Sequence, residues 1–167
     1  MPSPAPALLA LRDQIDAAWP KRSKASDGIL GDAAHAARAS DHNQGDALDV
    51  TYDPDSGPDL EALAEALLAD ERVHYVIWNQ RIRNRAYDEG AWRPYDGANP
   101  HTKHLHVSVH PERREDASPW QLEVGAPADG PTQSVGLGAF VAVAVTLAVV
   151  GTLACAASPP TPLPFAS

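Results

Sequence analysis

The chain has 167 residues, enough for one ordinary domain with an appended segment but not for two of full size. With 13 Lys plus Arg against 22 Asp plus Glu, its formal net charge of -9 argues against nucleic acid and against electrostatic docking on an anionic membrane. A single cysteine, Cys155, excludes an intrachain disulfide framework and a multi-cysteine zinc site.

In chain order, Leu8, Leu11, Ile15 and Trp19 are spaced as the buried stripe of an amphipathic helix, which Pro20 ends. Arg12, Asp13 and Asp16 interrupt this apolar patch, so it does not read as a secretory signal. A loop rich in Gly, Ser, Asp and Ala follows over residues 21–41, and residues 47–52 (ALDVTY) predict a short strand. Pro58 opens a second helix with Leu60, Leu63, Leu67 and Leu68 on one face and Asp59, Glu61 and Glu65 near its start. Residues 73–82 (VHYVIWNQRI) are β-branched and aromatic and predict one buried strand; residues 105–109 predict a last one. This order predicts an α+β domain over residues 1–122, with a small mixed or antiparallel sheet and flanking helices.

The remainder differs in composition. Residues 123–134 read as a Gly/Pro-rich linker and residues 158–167 as a Pro-rich tail. Between them residues 135–157 carry no charge and are long enough, as a helix, to cross the hydrocarbon core of a bilayer. The expectation is a single C-terminal transmembrane helix that anchors the chain. Lys and Arg occur only before the span, which favours a cytoplasmic N-terminal domain.

The chemistry is concentrated in two stretches, residues 40–49 (SDHNQGDALD) and residues 101–106 (HTKHLH). Gly45 permits a tight backbone reversal between His42 and Asp49, so the two can converge. His104 and His106 fall on one face of a strand. Two imidazoles and one carboxylate form a ligand set suited to Zn²⁺ that leaves a fourth position open, as catalytic sites do. His35, His74 and His110 read as structural or exposed, Asp41 and Asp46 as solvated loop residues. Ser40 reads as a hydrogen-bonding member of the ligand loop rather than a nucleophile. Trp78, Trp92 and Tyr95 are candidates for a cleft wall, although aromatics in a small domain usually belong to its core.

Ser40, His42, Gly45, Ala47 and Asp49 match the SxHxxGxAxD signature of the zinc D-Ala-D-Ala carboxypeptidases, and His104 with His106 matches that family's HxH signature. Residues 8–109 thus resemble this family, which includes the L-alanyl-D-glutamate endopeptidases of phage endolysins and shares its metal site with lysostaphin-type peptidases. The resemblance implies that His42, Asp49 and His106 bind zinc and that a metal-activated water hydrolyses a peptide bond in peptidoglycan stem peptides. Many relatives place a Glu or Asp three residues before the last ligand, where this chain has Lys103. His104 is therefore the expected general base and His101 the second choice. Arg38 is a candidate for binding a substrate carboxylate or stabilising an oxyanion, with Arg22 as its rival. The resemblance leaves open whether the enzyme is a carboxypeptidase or an endopeptidase; the second half of the matched region, like that of actinophage members, favours an endopeptidase lysin. Two arrangements reconcile the wall substrate with the charge bias: a lysis protein that waits on the cytoplasmic side until the membrane fails, which is preferred, and an inverted insertion with the N-terminal domain outside. The alternatives are a catalytically silent zinc domain used for binding, as in the Hedgehog signalling domain, and a membrane-anchored adaptor whose histidines merely pack.

Overall fold

The apolar spacing of the first segment folds as expected. In a computed structural model that describes residues 2–31, 39–84, 86–87 and 90–122, helix α1 spans Pro6–Ala18 and buries Leu8, Leu11 and Ile15. Pro6 starts it, where a missing amide hydrogen costs nothing, and the buried Trp19 closes it. Helix α2, Leu60–Leu68, begins at Asp59, whose carboxylate accepts from the Glu61 and Ala62 amides at 2.9 and 3.4 Å. It buries Leu60, Leu63, Ala64, Leu67 and Leu68.

Five strands, β1 (Ala47–Thr51), β2 (Val73–Trp78), β3 (Arg81–Asn84), β4 (Arg93–Pro94) and β5 (His104–Val109), form one sheet in the order β1-β5-β2-β3-β4. Every pairing is antiparallel. Among the described residues the architecture is α+β, a five-stranded antiparallel sheet with two helices. The chain divides into two units, Met1–Pro131 and Thr132–Ser167, and all described residues belong to the first. The expected linker, transmembrane helix and tail over residues 123–167 lie outside the described residues. Among the described residues no helix is long and apolar enough to cross a membrane.

The sheet has two unlike faces. Leu48, Val50, Val76, Trp78, Leu105, Val107 and Val109 join the helices in one hydrophobic core. Strand alternation sends Asp49, Thr51, His104, His106 and Ser108 to the other face. After β5 the chain returns across α1: the Trp120 indole donates to the Ala7 carbonyl at 2.9 Å, and the Arg72 guanidinium lies 3.8 Å above its ring. Trp78 is thus a core residue, not a cleft wall.

The single strand expected over residues 73–82 is a hairpin. Asn79 and Gln80 both take positive φ, 48° and 63°, and reverse the chain between β2 and β3. This is the backbone of a type I′ turn, reached here without the glycine that usually marks one. The turn also holds the next loop: the Asn79 and Gln80 amides donate to the His101 and Pro100 carbonyls, both at 2.9 Å. The two-residue β4 was not expected either.

Gly45 has φ +79°, and a Cβ there would collide with the Ser3 carbonyl. The approach is needed because the Ala5 amide donates to the Gly45 carbonyl at 2.9 Å, tying the N-terminus to the loop that carries His42. Gly45→Ala should lower unfolding free energy by at least about 1–2 kcal/mol from the left-handed backbone alone. Urea denaturation checks this; an unchanged midpoint would contradict it.

Candidate metal centre

The centre is assembled by strand register and one short turn. The β1–β5 pairing sets Asp49 opposite His106, on the face turned away from the core. His42 sits in a 3₁₀ turn, Asp41–Asn43, just before β1. Its Nδ1–H donates to the Ile29 carbonyl at 2.8 Å, which in the neutral ring puts the lone pair on Nε2, the nitrogen facing His106 and Asp49. Ile29 is itself placed by Gly28, which bridges to Asp49 on the outer side of β1.

Three donor atoms then meet. His42 Nε2 lies 3.2 Å from His106 Nδ1 and 3.3 Å from Asp49 Oδ1, and His106 Nδ1 lies 3.0 Å from the same oxygen. Ligands about 2.0–2.1 Å from a tetrahedral zinc stand about 3.3–3.4 Å apart. The observed triangle therefore matches one face of such a tetrahedron to within a few tenths of an ångström. His42, Asp49 and His106 form a group able to hold a metal ion.

The electrostatics point the same way. Burial alone would raise the Asp49 carboxyl, but hydrogen bonds and charge from His106 and His42 outweigh it and hold the group well below the usual carboxylate range. Burial alone would depress His42, yet Asp49 and the Ile29 carbonyl raise it above its ordinary value. Both shifts favour positive charge where the three atoms converge, which a cation supplies directly.

The donors open into a cleft of about 260 Å³, whose lining includes Ser40, Tyr75, Ile77, Tyr95, Asn99 and His101. The family model described as VldE, C-terminal domain, matches residues 2–106, a stretch that contains all three donors and ends on the last of them. The chain belongs to the VldE C-terminal domain family. No curated protein and no solved structure gave a match.

The other expected residues of this VldE C-terminal domain divide by position. His104 lies beside the centre, with Nε2 3.7 Å from Asp49 Oδ2 and 3.5 Å from Asn99 Nδ2. Burial, opposed by Asp49, leaves its imidazole below the ordinary value, hence neutral at neutral pH. Lys103, in the position where a carboxylate base was sought, is exposed. His101 is buried with φ +51°, its ring centroid 5.0 Å from that of His104, and its Nδ1 has no hydrogen-bond partner among the described residues. Burial, then His106 and His104, push it down to about 4.

Arg38 and His35 lie outside the described residues. Its rival Arg22 is committed elsewhere: the side chain is 1% exposed and clamped to Asp16 at 2.6 Å and Asp27 at 2.5 Å. Asp27 in turn accepts from the Thr51 amide and hydroxyl at 2.9 and 2.7 Å, so Arg22 braces the end of β1. Asp46 is not the solvated residue expected; it is buried, 3.1 Å from Arg114, and burial raises its carboxyl against that pairing. His74 and His110 pack against each other with their rings tilted by 31° and centroids 4.7 Å apart. Of the three aromatics proposed for the wall, Tyr95 takes that place, whereas the Trp92 indole donates to Glu65 at 2.8 Å. Tyr75, Asn99 and Ser108 were missed, because a lone Tyr, Asn or Ser carries no spacing signal until the strands are paired.

Zinc at a hundredfold excess over its Kd should stabilise the chain by about 2.7 kcal/mol, several degrees in Tm. His106→Ala should abolish that shift. Differential scanning fluorimetry with zinc and with a chelator checks it, and an equal shift in both proteins would place the metal elsewhere.

Proposed function

We propose that the chain is a zinc-dependent hydrolase of peptide bonds in bacterial peptidoglycan stem peptides, of the D-Ala-D-Ala carboxypeptidase and L-alanyl-D-glutamate endopeptidase type. The observation that carries this reading is the triangle of His42 Nε2, Asp49 Oδ1 and His106 Nδ1, with edges of 3.0–3.3 Å, beside the neutral His104 in an open cleft. Residues 135–157 are its proposed membrane anchor, and the catalytic domain waits on the cytoplasmic side as a lysis protein's would.

His42, Asp49 and His106 hold the ion. Zinc bound by them supplies Lewis acidity, which polarises a carbonyl and makes water a nucleophile near neutral pH. His104 does the proton work. Its neutral Nε2 accepts a proton from water as the water oxygen bonds to the scissile carbonyl carbon. The same proton then passes to the departing amine nitrogen as the C–N bond breaks. Asn99 Nδ2 stands 3.5 Å from His104 Nε2, a contact that water replaces when the base is in use. Tyr95 and Tyr75 give the cleft flat apolar walls suited to short, small-residue peptides.

Mass spectrometry of fragments released from defined peptidoglycan, with and without a chelator, tests the reading. Stem-peptide cleavage that the chelator abolishes is the expected result. Zinc binding without any cleavage would favour the silent binding domain instead. His104→Ala should retain zinc while losing about 10²- to 10⁴-fold in turnover; loss of zinc from that variant would make His104 a ligand rather than the base.

A further inference from the structure

Among the described residues, three other than glycine take a positive φ: Asn79 at 48°, Gln80 at 63° and His101 at 51°. Left-handed backbone is unfavourable for a residue with a Cβ and persists only where surrounding bonds hold it. All three meet at one junction. The Asn79 amide donates to the His101 carbonyl and the Gln80 amide to the Pro100 carbonyl, both at 2.9 Å, while the Tyr95 amide donates to the Gln80 carbonyl at 2.8 Å. Both ends of the segment 95–101 are thus fastened to a single two-residue turn. That segment supplies Tyr95, Ala98, Asn99 and His101 to the cleft into which the three donors open.

Inside the segment the Tyr95 ring is seated on Gly97. A Cβ at Gly97 would fall on the phenol end of that ring, against Cζ and Oη, so no side chain fits between them. Gly97 takes no left-handed backbone; what the ring requires of it is the missing side chain. On another side the ring meets His101 in a T-shaped contact, with centroids 5.3 Å apart. Gly97 is exposed and Tyr95 half-buried, so the loop itself, not the core, holds the ring.

We propose that Tyr95 is a substrate-binding residue and Gly97 its positioning residue: the ring, seated where position 97 has no side chain, packs on the peptide segment that lies along the cleft beside the metal centre. An aromatic face offers the short aliphatic groups of a peptide a large apolar area. Fastening the loop at both ends removes most of the ordering that a mobile wall would undergo on binding. The role rests on the peptidase reading above for the identity of the ligand, but it concerns substrate affinity rather than zinc binding or proton transfer.

Steady-state cleavage of a defined stem pentapeptide by the zinc-loaded full chain, with zinc affinity measured alongside, tests the proposal. Tyr95→Ala should raise KM about 5- to 30-fold and leave kcat within about twofold, the signature of binding lost equally from ground and transition state. Tyr95→Phe keeps the ring and should keep KM. Gly97→Val should raise KM to a similar extent as Tyr95→Ala, by displacing the ring. Combined with Tyr95→Ala it should add nothing, because no ring remains to be displaced. Zinc affinity should match wild type in every variant. Should Tyr95→Ala fail to fold, Gly97→Val, at an exposed position, carries the test with the same expected rise in KM. An unchanged KM in the variant measured overturns the binding role, and additive effects of the two substitutions overturn the positioning role of Gly97; either result leaves the hydrolase reading standing. If the wild-type chain binds zinc but cleaves nothing, the hydrolase reading fails instead. The calorimetric Kd of the uncleaved pentapeptide must then follow the same pattern across the variants, or the role of Tyr95 falls with it.

Discussion

The antiparallel pairing of β1 with β5 is the constraint on which the rest of the molecule depends. It sets Leu48 and Val50 beside Val107 and Leu105 toward the helices, and Asp49 beside His106 away from them. Because side chains alternate along a strand, a slip of β1 by one residue would turn Asp49 into the core and Leu48 and Val50 out of it, and a slip of β5 would do the same to His106, Leu105 and Val107. Burial of those side chains, at about 1.5–3 kcal/mol each, therefore enforces the same register that the centre needs. Core and centre are two consequences of one pairing.

The ligand turn is held by comparable means. Gly28 bridges to the outer edge of β1, Ile29 offers its carbonyl to His42, and Gly45 lets the N-terminal segment close over the turn. Arg22 and Asp27 brace the far end of β1. Consequently the three donors are organised by groups outside their triangle. Little conformational entropy remains to be lost on binding, which favours affinity.

Much of this was legible in the sequence because the signals are local. The spacing of Leu8, Leu11 and Ile15, the acidic start before Leu60, Leu63 and Leu67 and the short apolar run at 47–51 each depend on near neighbours; the elements formed there, although α2 starts at Leu60 rather than at Pro58. His42, Asp49 and His106 could be named together because the chain resembles the SxHxxGxAxD and HxH signatures; the glycine-containing turn and the strand period alone allow convergence but do not choose between His104 and His106. The failures are non-local. Nothing in VHYVIWNQRI marks Asn79-Gln80 as a turn; the pair adopts its left-handed backbone while its amides hold the 100–101 carbonyls. Asp46 looked solvated because Arg114, its partner, is far away in the chain. Tyr75 became visible as part of the centre only once β2 was laid beside β5.

The most direct measurement of the central claim is zinc K-edge X-ray absorption on the purified, zinc-loaded chain. The account predicts one zinc per chain in a shell of nitrogen and oxygen near 2.0–2.1 Å, with the outer scattering of two imidazoles and no sulfur. A sulfur shell, outer scattering from a single imidazole or none, or failure to retain stoichiometric zinc would contradict it.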